Sequence, residues 1–254
     1  MNLYYRTIGS GPPLIILHGI FGSSDNWGTL GRQFGEFRQV YLVDQRNHGR
    51  SPHDPQFNYQ VMVEDLHQFI VQHGLLKPDI MGHSMGGKTA MFFATKYPDM
   101  INKLVVVDIA PRAYPVHHDF ILRGLSALPL DKLQSRQQAD TELARYIDNP
   151  AIRQFLLKNL QRTDQGFRWK INLPVIQENI AHVGQGLGPE DVFTHPTLFI
   201  RGGLSPYIQE EDYADIASHF PNSKVVTIPG ATHWVHADKP FELYKTVKSF
   251  LLEA

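Results

Sequence analysis

The chain contains no cysteine, which removes disulfides, thiolate nucleophiles and thiolate metal ligands together. Any nucleophile must therefore be an oxygen or an amine. Charge of neither sign is in surplus, since 24 Lys and Arg stand against 25 Asp and Glu for a formal net charge of -1. Such a balance leaves no electrostatic footprint for a phosphate backbone, so nucleic acid is not expected as a partner. Long hydrophobic runs are missing too. No segment approaches the roughly 20 apolar residues of a membrane-spanning helix, and Met1 to Arg6 shows no basic stretch leading into an apolar one. The expectation is a cytoplasmic protein without membrane association, its oligomeric state left open. Disorder is excluded by 42% hydrophobic against 19% charged residues, enough apolar side chain to bury a core.

What is present reads as α/β. Short β-branched runs at Leu14 to Leu17, Gln39 to Val43, Asp79 to Met81, Leu104 to Val107, Leu198 to Ile200 and Val225 to Ile228 alternate with helical periodicity. That alternation predicts a mostly parallel central sheet with helices on both faces. Leu3 to Ile8, followed by Gly9-Ser10-Gly11-Pro12-Pro13, predicts an edge hairpin leading into the sheet. Between Arg112 and Leu187 the strand signals stop, and Asp131 to Tyr146 and Asn149 to Leu160 carry apolar residues at helical spacing. The chain therefore divides into a core of residues 1–111 and 188–254 and a helical cap at 112–187. Gly and Pro mark both borders.

Gly82-His83-Ser84-Met85-Gly86 lies between a predicted strand and a predicted helix that Pro98 ends. A nucleophile elbow needs that setting, because a tight strand-to-helix turn leaves its central serine oxygen exposed above the sheet. The same stretch, Gly82 to Thr89, also fits the phosphate-binding loop G-x-x-x-x-G-K-[ST], in which Lys88 would meet phosphates and Thr89 a magnesium ion beside Asp108. That rival leaves His18-Gly19, Asp44 to Ser51 and His233 without a role. The hydrolase reading uses them all.

His233 follows the last predicted strand at the carboxyl edge of the sheet, where open α/β folds bind ligands. It is the candidate general base, since an imidazole can take the serine proton and return it to the leaving group. For the acid, Asp108 ends a strand at the same edge as Ser84, with Asp212, Asp215 or Asp238 as fallbacks. Ser205, at the end of the following strand, cannot supply the charge but is placed to hydrogen-bond the carboxylate or the imidazole as a fourth member. Acyl transfer also creates an oxyanion, which backbone N–H groups must meet. Met85 is one expected donor; the other is Ile20, with Phe21 as second choice.

With these residues assembled, the chain resembles the small, capped α/β-hydrolases along essentially its whole length. Arg46-Asn47-His48-Gly49, Asp108-Ile109-Ala110-Pro111 and Ser205-Pro206-Tyr207 look more narrowly like the bacterial esterases of the YbfF type. That resemblance implies carboxylesterase or thioesterase activity on small acyl substrates, with Ser84, Asp108, Ser205 and His233 as the catalytic set and no cofactor. Carbon–carbon hydrolases and lyases use similar residues on this fold, which does not choose among them. Phe120, Ile121, Phe155, Leu156, Phe167, Trp169, Leu173 and Val175 are the cap residues expected to supply an acyl pocket.

Overall fold

The central strands are apolar on both faces because both faces are covered. In strand β2 (Pro13–Leu17), Ile15 and Leu17 enter one buried cluster while Leu14 and Ile16 enter the opposite one. The same alternation runs through β4 (Asp79–His83), β5 (Leu104–Val107) and β8 (Thr197–Gly202). Helices α2 (Tyr59–Gln72), α3 (Met85–Lys96) and α8 (Tyr213–His219) cover the first cluster; α1 (Gly28–Phe34) and α10 (Pro240–Leu252) cover the second. The computed structural model describes residues 1–115, 118–164 and 166–253. Val116, His117, Gln165 and Ala254, which fall within the expected cap and core ranges, lie outside the described residues.

The sheet has seven strands in the order β1-β3-β2-β4-β5-β8-β9, with β1 (Tyr5–Ile8), β3 (Gln39–Val43) and β9 (Ser223–Ile228) completing it. All neighbours are parallel except β1, which runs antiparallel to β3 with Tyr5 opposite Val43. The expected hairpin is thus corrected. The chain does turn at Gly9 to Pro12, but β3 lies between β1 and β2. Apolar on both faces, β2 takes a strand on each side, whereas the half-buried β1 suits an edge. The order reverses direction at β2, which opens a crevice between the carboxyl ends of β2 and β4.

Between β5 and β8 the chain makes an insert of α4 (Asp119–Ala127), α5 (Arg136–Leu143), α6 (Pro150–Leu157) and α7 (Leu173–Val183). It also contains a small antiparallel hairpin, β6 (Leu160–Thr163) with β7 (Gly166–Trp169), where the sequence showed no strand signal. Each of these four-residue strands buries one side chain, Leu160 or Phe167, too few to make a visible period. The expected helices are correspondingly shorter, and the second ends before β6. The insert has its own cluster, with Leu125, Leu143, Leu156 and Ile176, which continues into Ile20, Phe21 and Met85 of the core. Where the insert leaves and rejoins the sheet, Tyr114 N–H donates to Gly184 O (2.8 Å) and Leu187 N–H to Pro111 O (3.0 Å). Among the described residues, no helix is long and apolar enough to cross a membrane.

Candidate active site

Ser84 occupies the turn between β4 and α3 at φ 53 and ψ -120, a conformation that non-glycine residues rarely adopt. Its N–H bonds the Val107 carbonyl at 3.0 Å, pinning the turn to β5. The tightness explains Gly82: a Cβ there would stand 2.1 Å from the Gly86 carbonyl oxygen. A second close approach explains Gly19, whose added Cβ would meet Ser84 Cβ at 3.1 Å and His83 Nδ1 at 2.9 Å. The loop after β2 therefore lies directly against the serine.

His233 reaches Ser84 from the loop after β9. Its Nε2 is 3.0 Å from Ser84 Oγ, and its Nδ1 is 2.8 Å from Asp108 Oδ2. Asp108, itself at φ 54 just past β5, is fully buried. Burial of a carboxylate is tolerable only when its oxygens are met by donors. Gly202 N–H donates to Oδ1 at 2.7 Å, and Ser205 Oγ–H donates to Oδ2, which also faces His233. Ser205 Oγ in turn accepts Tyr207 N–H at 3.3 Å. Asp212, Asp215 and Asp238 have other partners, respectively Arg112, His219 and Thr232. The structure thus brings Ser84, His233, Asp108 and Ser205 together.

Supports behind this chain are aromatic and histidine-rich. His83 Nε2–H donates to the His233 carbonyl at 2.8 Å, joining the histidine loop to the strand that carries Ser84. Burial, and then the neighbouring His233 and His236 rings, hold the His83 pKa well below the usual imidazole value. His236 stacks on Trp27 at 4.6 Å, and burial lowers its pKa to about 3. Tyr207 stacks on the His233 ring at 4.0 Å and 21°. The sequence named Tyr207 only as part of a motif. Nothing in a linear pattern shows which ring it will cover.

The turn after β2 is held plane by plane. His18 Nε2 accepts Gln45 N–H at 3.0 Å, so its proton sits on Nδ1, which donates to Gly19 O at 2.8 Å. Phe21 N–H is engaged by His48 Nε2 at 3.2 Å. Burial keeps both imidazoles neutral, lowering His18 and taking His48 to about 3. Lys88 and Thr89 are turned inward rather than toward a phosphate site: Lys88 Nζ donates to Pro111 O and Arg112 O, both at 2.6 Å, and Thr89 Oγ1 to Gln45 Oε1 at 2.8 Å. Burial brings the Lys88 pKa down to about 7. Among the described residues, no three His, Asp or Glu side chains gather as metal ligands.

Ser84 and His233 open onto a cavity of about 300 Å³. Phe120, Ile121 and Phe155 of the expected pocket residues line it, with Ile152, Leu204 and Trp234. Leu156, Phe167 and Leu173 are buried in the cluster of the insert, and Trp169 and Val175 pack against it. Large apolar side chains on short amphipathic helices mostly serve packing, which the sequence does not separate from pocket lining.

A mostly parallel sheet with a serine turn at its switch point, a histidine after the last strand and a carboxylate after a middle one defines an α/β hydrolase. The α/β hydrolase fold family model matches residues 12–141, and the chain belongs to that family. Esterase YbfF of Escherichia coli (strain K12) is 38% identical over 242 residues, covering 94% of this chain and 92% of that protein. The sn-1-specific diacylglycerol lipase ABHD11 of Mus musculus is 38% identical over 248 residues, covering 94% of this chain and 81% of that protein. Among solved structures, a marine microorganism esterase matches with a TM-score of 0.95 and 45% identity over 98% of both chains. The family level is thus an enzyme of the esterase and lipase type.

Proposed function

We propose that the chain is a serine carboxylesterase or thioesterase acting on small acyl substrates through Ser84, His233 and Asp108. The observation that carries this reading is the unbroken relay from Ser84 Oγ to His233 Nε2 (3.0 Å) and from His233 Nδ1 to Asp108 (2.8 Å) at an apolar cavity. Ser84 Oγ forms a bond to the acyl carbon as its proton passes to His233 Nε2. The carbonyl electron pair moves onto oxygen. When it returns, the bond to the alcohol or thiol breaks and the imidazolium gives that group the proton. Water, deprotonated by the same imidazole, then bonds to the acyl carbon; the bond to Ser84 Oγ breaks, the imidazolium returns the proton to that oxygen, and the acid leaves. Asp108 holds the Nδ1–H tautomer and stabilises the imidazolium, and Ser205 satisfies the buried carboxylate.

Two backbone N–H groups serve the oxyanion. Met85 N–H lies at the N-terminus of α3, where unpaired N–H groups and the helix dipole favour negative charge. Ile20 is preferred over Phe21 because Phe21 N–H is already engaged by His48. In a trans peptide the N–H and C=O point in opposite directions. Holding Gly19 O back against His18 Nδ1–H therefore turns the Ile20 N–H forward. The insert at 112–187 acts as the cap, walling the cavity with Phe120, Ile121 and Phe155 and keeping bulk water away.

Labelling with a fluorophosphonate and hydrolysis of p-nitrophenyl esters test the reading. Both are expected in the wild-type chain and both should be lost in Ser84→Ala and His233→Ala. Retained labelling in Ser84→Ala, or magnesium-dependent ATP turnover lost in Lys88→Ala, would refute it.

A further inference from the structure

Three successive peptide planes after β2 are each held by a different side chain. His18 Nδ1–H holds the Gly19 carbonyl (2.8 Å), and His48 Nε2 holds the Phe21 N–H (3.2 Å). The third holder comes from the insert. Asn159 Nδ2 donates to the Phe21 carbonyl at 2.6 Å. Its side chain is buried in the short link between α6 and β6, and the residue is 2% exposed. Its own backbone is fixed by Lys170 N–H, 2.8 Å from Asn159 O, and by its N–H to Leu156 O at 3.0 Å. A second tie binds the insert to the loop that carries His48: Asn172 N–H donates to Asn47 O at 2.9 Å, and Asn172 Nδ2 to Asn47 Oδ1 at 3.0 Å.

Between the Asn159 and His48 bonds sits Phe21 at φ 58. A bulky residue keeps that conformation only where its surroundings over-determine it. Without the Asn159 amide, the Phe21 carbonyl loses its partner on that side, and the Gly22 N–H of the same peptide plane, 3.0 Å from Gly19 O, is left to oppose relaxation of Phe21 toward negative φ. Such a rotation carries the Ile20 peptides with it, because the planes share their α-carbons. The Ile20 N–H would then leave the position that the proposed oxyanion hole assigns to it.

We propose that Asn159 is a positioning residue through which the insert completes the oxyanion hole, so that an enzyme with its cap unseated is also an enzyme with a misplaced oxyanion donor. This inference rests on the serine esterase reading above. It differs from a packing role in what it predicts. A preorganised donor acts on the developing oxyanion rather than on the bound ester, so loss of Asn159 should appear in kcat and leave KM nearly alone.

The test uses Asn159→Leu, which keeps the volume without the donor, and Asn159→Ala, which is less crowded if Leu does not fold. Hydrolysis of p-nitrophenyl butyrate is measured beside inhibition by an aryl trifluoromethyl ketone and by butyrate. Addition of Ser84 Oγ to the ketone carbon, with the serine proton passing to His233 Nε2, leaves the carbonyl electron pair as an alkoxide in the oxyanion hole. Expected is a fall in kcat of about 10- to 100-fold, with KM within about threefold. Ketone affinity should fall in parallel with kcat/KM, while inhibition by butyrate stays unchanged. His48→Leu, which removes the acceptor of the Phe21 N–H on the core side, should give the same ketone-selective loss. Folded variants with kcat within about twofold of wild type, or with equal losses for ketone and butyrate, overturn the proposal. If the wild-type chain neither turns over the ester nor binds the ketone, the esterase reading has failed first and this inference falls with it.

Discussion

Acid should unfold this protein before it exhausts the chemistry of the site, because the structure buries neutral histidines. His48 and His236 are 0% and 9% exposed, and burial takes each pKa to about 3. An unfolded chain binds a proton at each near pH 6.5, so between about pH 6.5 and 3 the unfolded state carries the extra protons. Stability is therefore fully present above pH 6.5 and lost as pH falls toward 3. Each proton contributes about 1.4 kcal/mol per pH unit, so the two together give a slope of roughly 3, and by pH 5 roughly 4 kcal/mol is gone. His18 and His83 are lowered in the same direction, His83 well below the usual value, and they steepen the loss. Against a native stability of about 5–15 kcal/mol, this brings unfolding within reach of pH 5. Urea unfolding at pH 7, 6, 5.5 and 5 measures the slope. His236→Phe, which keeps a ring against Trp27, should reduce it by about 1.4 kcal/mol per pH unit. A wild-type slope below that one-proton value between pH 6 and 5 would refute the assignment of neutral buried imidazoles.

Asp108→Asn should fold and lose about 10⁴ in kcat, since the amide favours the wrong imidazole tautomer; pre-steady-state acylation would show near-normal rates if the role were structural only. Ser205→Ala removes one donor from a buried carboxylate and should cost about 1.5–3 kcal/mol in urea unfolding, together with a fall in kcat. Lys88→Met leaves the Pro111 and Arg112 carbonyls without their amine partner and should destabilise by about 1–3 kcal/mol for each carbonyl left unpaired, read by thermal unfolding. Phe155 and Trp234, 6.3 Å apart, both line the 300 Å³ cavity and an adjoining one of about 580 Å³. Phe155→Ala should join the two and move the p-nitrophenyl ester optimum to longer chains, gaining about 0.8 kcal/mol per extra methylene buried. An unchanged chain-length profile would count against that partition.

The sheet was legible because each parallel strand between two helical layers must be apolar throughout, and Leu14 to Leu17 and Leu104 to Val107 are. The strand that misled was β1, since a turn rich in glycine and proline shows that the chain reverses without showing which strand becomes its neighbour. Ser84, His233 and Asp108 could be placed side by side because each follows a strand and so falls on one edge. Asn159 and Tyr207 could not, since their partners, Phe21 O and the His233 ring, are set by how the insert and the loop after β8 settle. The hairpin β6–β7 escaped for a different reason, being too short to alternate.

The two backbone bonds that join Tyr114 to Gly184 and Leu187 to Pro111 give the insert a neck of closely paired strands of chain. Any polypeptide whose ends meet at a similar spacing could be spliced there with little loop-closure entropy. A transplanted insert would bring its own cavity walls, and it would itself have to carry the few contacts that reach down onto the loop after β2, among them an amide for the Phe21 carbonyl.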